Sequence, residues 1–229
     1  LRVLDAVVSL QSGGSLEARA RDARYELLAT ELRSGEILVT AQHADDQAET
    51  VLLQLLRGAG VAGLAAMPAV APLGTGHLVR PLLRVRREQI ERYVRQRGLP
   101  WIEDDSNADE QRSRNFLRHR VMPVLAEHWP GVVRTLTRSA RHMAEADGLL
   151  QQRARQDLAR AADGTGLAVT RLRALTLARR KNLIRAWILA HGLRAPDATR
   201  LDEIAGPMLL ARHDVQPQVA WPGVVVQRA

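Results

Sequence analysis

The stretch EILVTAQHADDQAETVLLQLLRG, Glu36–Gly58, constrains the fold more than any other part of this chain. Its first six residues, Glu36–Ala41, form a short apolar run of the kind that makes a buried strand. A helical pattern follows at once, because Val51, Leu52, Leu55 and Leu56 recur at helical spacing and Gly58 is a fitting stop. A second helix is expected before the strand, from a Ser15 cap through Tyr25 towards Leu32. Helix, strand, helix in that order predicts α/β units on a parallel sheet.

The rest of the chain is mainly helical. GAGVAGLAAMP (Gly58–Pro68) reads as a loop or as short helices broken by glycine, and HLVRPLL (His77–Leu83) as extended. RREQIERYVRQRGL (Arg86–Leu99) reads as a helix with Ile90, Tyr93 and Val94 on one face and Gly98 at its end. A polar loop spans Pro100–Asn115. From Phe116 to Ala162 the pattern is helical, with interruptions expected at Pro123 and at Trp129–Gly131. AADGTGLAVTRL (Ala161–Leu172) breaks that helix and opens a short strand, ARRKNLIRAWILAHGL (Ala178–Leu193) is a helix ended by Gly192, and the tail from Asp214 is β-like. A boundary is placed near residue 126. It separates an α/β domain, residues 1–125, from a smaller, mainly helical domain, residues 126–229, reached through a long connecting helix.

Charge and composition narrow the function. Thirty-three basic residues against 25 acidic ones give a net charge of +8, which points to a polyanion such as nucleic acid. Only Lys181 among the basic residues is a lysine, so a genome-wide preference for arginine explains part of that balance. Aromatic residues are 3%, too few for a broad base-stacking platform, which leaves arginine–phosphate contacts. Arg134, Arg138, Arg141, Arg153 and Arg155 recur at spacings that let several share a helix face and meet phosphates. Cysteine is absent, which excludes disulfides and thiolate metal sites within the chain and suits a cytoplasmic home. No apolar run approaches the roughly 20 residues of a membrane span. The N-terminus, LRVLDAVVSL, lacks an initiator Met and reads as a strand entered midway, so the chain is expected to begin inside a longer protein.

Two segments invite a site. Ser12-Gly13-Gly14-Ser15 has half of a phosphate loop, but the S-G-G-x-D-S pattern would place its aspartate on Leu16 and its last serine on Glu17. A turn with Ser15 as helix cap is the reading that fits. The second segment is the helix start after the strand, where α/β proteins bind ligands. It carries His43, Asp45, Asp46, Gln47 and Glu49. Asp45 and Glu49 share one helix face, as do His43, Asp46 and Gln47. Carboxylates so placed can hold Mg²⁺, orient an amine or accept a proton, and they also suit a helix N-terminus through its dipole.

TAQHADDQAETVLLQLLRGAGVAGLAAMP (Thr40–Pro68) closely resembles the TAHHxDDQxET…LxRGxGxxGLxxM motif of the tRNA(Ile)-lysidine synthase family. EARARDARY (Glu17–Tyr25), RPLL (Arg80–Leu83) and WIEDDSNADEQRSRNFLRHRVMPVL (Trp101–Leu125) are similar to further blocks of that family, in the same order. The resemblance implies an adenine nucleotide alpha hydrolase-like, parallel-sheet catalytic domain of the N-type ATP pyrophosphatase, or PP-loop, kind. It implies ATP-dependent attachment of free lysine to C2 of the wobble cytidine of tRNA(Ile) with a CAU anticodon, through an adenylated cytidine, with release of pyrophosphate and AMP. It implies ATP and Mg²⁺ as cofactors, tRNA and lysine as partners, a possible homodimer, and no membrane.

By position, the resemblance gives His43, Asp46, Gln47 and Glu49 to the catalytic centre, with Asp46 and Glu49 to lysine and Mg²⁺ and Asp45 as a further Mg²⁺ ligand. Arg24 would face the nucleotide, and Arg57, Arg114, Asn115 and Arg118 the tRNA. Asn107 and Asp109 would hold their loop in shape, and Glu17 would pair with Arg21. The family's own S-G-G-x-D-S loop is expected before residue 1, its second histidine is Gln42 here, and the 229 residues alone are expected to be poorly active. Two alternatives stay open: a sister PP-loop enzyme such as a tRNA thiolase, against which the absent cysteines speak, and a tRNA-binding module without catalysis.

Overall fold

A computed structural model describes residues 3–6, 16–102, 109–212 and 215–228. Ser12–Ser15 and Asn107 lie outside them, as does the side chain of Glu17. The described chain divides into two compact units, Leu1–Ala144 and Glu145–Ala229.

The expected helix–strand–helix core of the first unit is present: α1 (Leu16–Glu31), β1 (Ile37–Val39) and α2 (Ala44–Leu56). Gly35 turns the chain at φ 83° between the first two, and Gly58, at φ 68°, ends the third. A short α3 (Val61–Leu64) follows, then β2 (Val70–Leu73), β3 (Gly76–Val79) and α4 (Arg87–Gln96). The sheet order is β1-β3-β2. β1 and β3 are parallel, with Ile37 opposite His77 and Val39 opposite Val79.

Two expectations change here. The sheet is mixed, because β2 pairs antiparallel with β3 through a hairpin at Gly74-Thr75. Pro72 disguises β2 in the sequence, and an edge strand tolerates it. The hairpin is seated on α1: Thr75 Oγ1 donates to Leu32 O at 2.7 Å, and a Cβ on Gly74 would come within 2.3 Å of Ala29 O. β1 is not a buried strand among the described residues, since Ile37 and Val39 are exposed and only Leu38, on the opposite face, is half-buried.

The second half of this unit is α5 (Ser113–Phe116), a π-helical stretch at Leu117–Val121, α6 (Met122–His128) and the start of α7 (Val132–Ala161). Pro123 does not break the path, as the sequence suggested it would. It stands in the first turn of α6, where its missing N–H is tolerated, and the preceding turn is widened. The real break is Trp129, which leaves helical geometry at φ −124° and ψ 84° before Pro130. Small residues on α2, Ala44 and Ala48, let Val133 pack down to van der Waals contact, with Met122, Val132 and Leu136 around them. The boundary expected near residue 126 falls inside α6.

The second unit contains the end of α7, a hairpin of β4 (Ala162–Asp163) and β5 (Gly166–Leu167), then α8 (Val169–Arg173), α9 (Leu177–Ala190) and α10 (Ala198–Glu203). A second π-helical stretch, Ile204–Met208, contains Pro207, and a β6 (Gln218–Trp221)–β7 (Val224–Gln227) hairpin closes the unit. Ile184, Ile188, Leu201, Ile204, Met208 and Trp221 form its core. Several arginines bond main-chain carbonyls: Arg173 holds Leu209 O, Arg180 holds Leu175 O and Ala205 O, and Arg228 holds Ala211 O. Arg134, Arg138, Arg141 and Arg155 are exposed on α7. Arg153 stands 3.4 Å from Asp157, which is 2% exposed and also receives two bonds from Arg179, at 2.6 and 3.0 Å.

The Arg179 hydrogen bond holds the Asp157 carboxyl below its ordinary value against the opposing effect of burial, aided by the charges of Arg153, Arg179 and Arg160. The lowered value fixes the sign of its contribution. The pair's contribution is complete above the ordinary carboxylate pKa of about 3.9 and is lost as pH falls through the lowered folded value. Asp157→Ala is expected to lower the unfolding free energy at pH 7, measured by urea denaturation, by more than the roughly 0.5 kcal/mol typical of an exposed site. The difference from the unsubstituted protein should shrink in acid.

Candidate functional site

The N-terminus of α2 is a capping box built on a histidine. His43 N donates to Asp46 Oδ2 at 3.0 Å, and Asp46 N donates back to His43 Nδ1 at 3.4 Å. A ring that accepts at Nδ1 carries its proton on Nε2 when neutral, and Nε2 stands 3.4 Å from Asp46 Oδ2. Thus the imidazole and the first carboxylate are fixed by the helix start itself.

The next side chains diverge. Asp45 takes Arg86 Nε on both oxygens, at 3.2 and 3.3 Å, and Arg87 N at 2.8 Å. It thereby satisfies a free amide at the start of α4. Gln47 is 6% exposed and exchanges two bonds with the main chain of Met67: Nε2 donates to Met67 O at 2.9 Å, and Met67 N donates to Oε1 at 3.0 Å. These bonds tie the segment after α3 to α2, a holding role that differs from the catalytic one expected for this residue.

Asp46 and Glu49 converge on Arg118. Glu49, 2% exposed, accepts from Arg118 Nε at 2.7 Å and from Nη2 at 3.0 Å. The same Nη2 reaches Asp46 Oδ1 at 3.0 Å. Arg114 lies beyond, with Nε 3.7 Å from Glu49 Oε2 and Nη2 donating to Thr50 Oγ1 at 2.8 Å. Thr50 in turn donates to Asp46 O. Burial opposes the charge on Arg118, but the Glu49 hydrogen bond and the charges of Glu49, Asp46 and Asp45 outweigh it, and its pKa is raised. Of the pairings helical spacing allows, Asp46 with Glu49 is the one that shares a cation, whereas Asp45 belongs to α4.

His43, Asp46, Glu49, Arg114 and Arg118 are therefore brought together. Asn115 is buried beside them and donates to Asp109 O at 2.9 Å, so it holds the loop, while Asp109 accepts from Gln111 N and Arg112. Arg24 is exposed on α1, and Arg57 is exposed at the far end of α2, about 20 Å along the axis from His43. Among the described residues no group of three or more His, Asp or Glu side chains is placed to hold a metal ion. The expected Mg²⁺ set of Asp45, Asp46 and Glu49 meets three carboxylates that already have cationic partners. Sequence reasoning assigned nothing to Arg86, Thr50 or Arg80. Arg80 follows β3 at the carboxyl end of the parallel pair. It is 6% exposed, with Nη1 on Pro68 O at 2.8 Å and Nε buried without a partner among the described residues.

The arrangement can bind a cation between two carboxylates at the ligand-binding end of an α/β sheet, and it can accept a proton there. No helix among the described residues is long and apolar enough to cross a membrane.

Comparison with known proteins gives the context. The family model of the PP-loop domain matches residues 2–125, and that of the TilS substrate binding domain matches residues 167–229. The chain is 50% identical over 220 residues to a tRNA(Ile)-lysidine synthase of Alkalilimnicola ehrlichii, covering 96% of this chain and 49% of the relative. It is 52% identical over 219 residues to that of Methylococcus capsulatus, covering 94% and 50%, and 45% identical over 221 residues to that of Coxiella burnetii, covering 96% and 49%. The chain thus spans about half the length of the curated relatives it matches.

The clamp on Met67 generates a test. Gln47→Leu leaves a buried amide and a buried carbonyl without partners, at about 1–3 kcal/mol. The expected result is a thermal midpoint lowered to match, followed by circular dichroism; an unchanged midpoint would remove the holding role of Gln47.

Proposed function

The chain belongs to the tRNA(Ile)-lysidine synthases, a PP-loop family, and from that premise we propose that the protein it represents joins lysine to the wobble cytidine of tRNA(Ile) with a CAU anticodon. The observation that carries the reading is the pair Asp46 and Glu49, set at the start of α2 and engaged with a cation. ATP adenylates the C2 oxygen of cytidine and releases pyrophosphate, which turns a poor leaving oxygen into a good one. The ε-amine of lysine then attacks C2, and AMP departs. An ammonium is no nucleophile, so a carboxylate must bind it and take its proton. Asp46 and Glu49 serve that end, with His43 bonded to Asp46.

Residues 1–125 form the catalytic part and residues 126–229 the helical tRNA-binding part. ATP is held near the carboxyl ends of β1 and β3. Arg80, a buried guanidinium that holds Pro68 O and whose Nε is orphaned among the described residues, suits an anion there. Arg24 adds positive charge for the nucleotide. Mg²⁺ would enter with ATP and neutralise charge on its phosphates, since Asp45, Asp46 and Glu49 are each already paired with an arginine. Arg57 and the exposed arginines of α7 meet RNA phosphates, Arg114 borders the carboxylate pair, and Asn115 keeps the Asp109 loop in place. The setting is the cytoplasm.

The test uses the complete open reading frame with ATP, Mg²⁺, labelled lysine and the tRNA. Label should enter the RNA only with ATP and vanish when the wobble cytidine is changed. Asp46→Asn should lower the rate at least a hundredfold, the range of a lost general base. tRNA affinity should fall steeply with salt. No label with tRNA still bound would favour a binding module or a sister enzyme with another nucleophile, and salt-independent affinity would remove the phosphate contacts.

A further inference from the structure

Arg118 stands where the reading above needs an amine to stand. Its Nη2 is shared between Asp46 and Glu49, at 3.0 Å to each, and its Nε takes the other oxygen of Glu49 at 2.7 Å. Asp46 already takes Arg118 Nη2 on Oδ1 and His43 N on Oδ2, so an ammonium that approaches it meets the guanidinium's like charge at the same carboxylate. We propose that Arg118 is the resident cation of the lysine site, and that the substrate ε-ammonium enters by taking its place on Asp46. This rests on the lysine reading of the site.

Three features favour an exchange at Asp46. The contacts are unequal: Glu49 has a bidentate pair, whereas Asp46 shares one N–H-bearing nitrogen. Exposure is unequal in the same sense, with 14% of the Asp46 side chain reachable against 2% for Glu49. Glu49 also keeps a second cation in reserve, since Arg114 Nε is 3.7 Å from Oε2. A buried carboxylate left alone is costly, and Arg114 limits that cost when Arg118 shifts. Arg118 itself lies in the π-helical stretch Leu117–Val121, a backbone form that concentrates at functional sites. Asp46 is then the carboxylate that meets substrate, and Glu49 is a positioning residue that parks Arg118.

The consequence is a competition. If lysine binds only molecules in which Arg118 has left Asp46, and a tenth of them are in that state, apparent affinity is weakened about tenfold. The experiment measures lysine binding to the full-length protein by equilibrium dialysis, and KM and kcat for lysine with tRNA, in Arg118→Met and Arg118→Gln. Both variants are checked for folding by circular dichroism. Exchange predicts lysine affinity raised about tenfold, KM lowered to match and kcat not raised. It also predicts that millimolar guanidinium ion competes with lysine in the variants and leaves the unsubstituted protein's KM unchanged. Lysine affinity unchanged or weakened in a folded variant would overturn the exchange alone. Failure of both variants to fold would make Arg118 a structural cation and also overturn it. No lysine binding by the unsubstituted protein would overturn the lysine reading of the site and the exchange with it.

Discussion

A glutamate with 2% of its surface exposed obliges the fold to bring it a cation. Glu49 receives Arg118 from 69 positions along the chain. That single requirement lays α5 and the π-helical stretch against α2, and it positions Arg114 and the buried Asn115. A lysine in place of Arg118 would reach one oxygen at a time, whereas the planar fork spans Glu49 and still touches Asp46.

Helix α2 is the hub because its successive side chains leave in different directions. Ala44 and Ala48 go to the start of α7, Asp45 to α4, Gln47 to the segment after α3, and Asp46 and Glu49 to Arg118. The helix also receives its own start from outside, since Ala44 N donates to Val85 O at 2.9 Å. A helix end anchored in this way positions His43 and Asp46 without dependence on side-chain packing at the mouth of the site.

Patterns with local causes were legible in the sequence. Helical spacing and terminal glycines gave α2, α4 and α9 their places, and the strand-to-helix junction located the candidate site. What depends on long-range partners was not legible. Periodicity put Asp45 with Glu49, but only the position of Arg86 decides that Asp45 serves α4. Gln47 looked like chemistry because it stands among carboxylates, and its true partner is a main chain 20 residues away. Pro123 looked like a break because the sequence does not show that the turn before it can widen. Arg118 was expected on RNA, since nothing local announces that a buried carboxylate lies across from it.

The arginines of the second unit that hold carbonyls have an entropic meaning. Arg173, Arg180 and Arg228 are clasped by Leu209, Ala205 and Ala211 oxygens, and a neutral oxygen does not cancel a cation's charge. Their rotamer freedom, about 2 kcal/mol for a free arginine, is surrendered once, on folding. Of the three, Arg173 is exposed, Arg180 half-buried and Arg228 buried, so the unit fixes one charge at its surface and uses the other two to brace its own main chain.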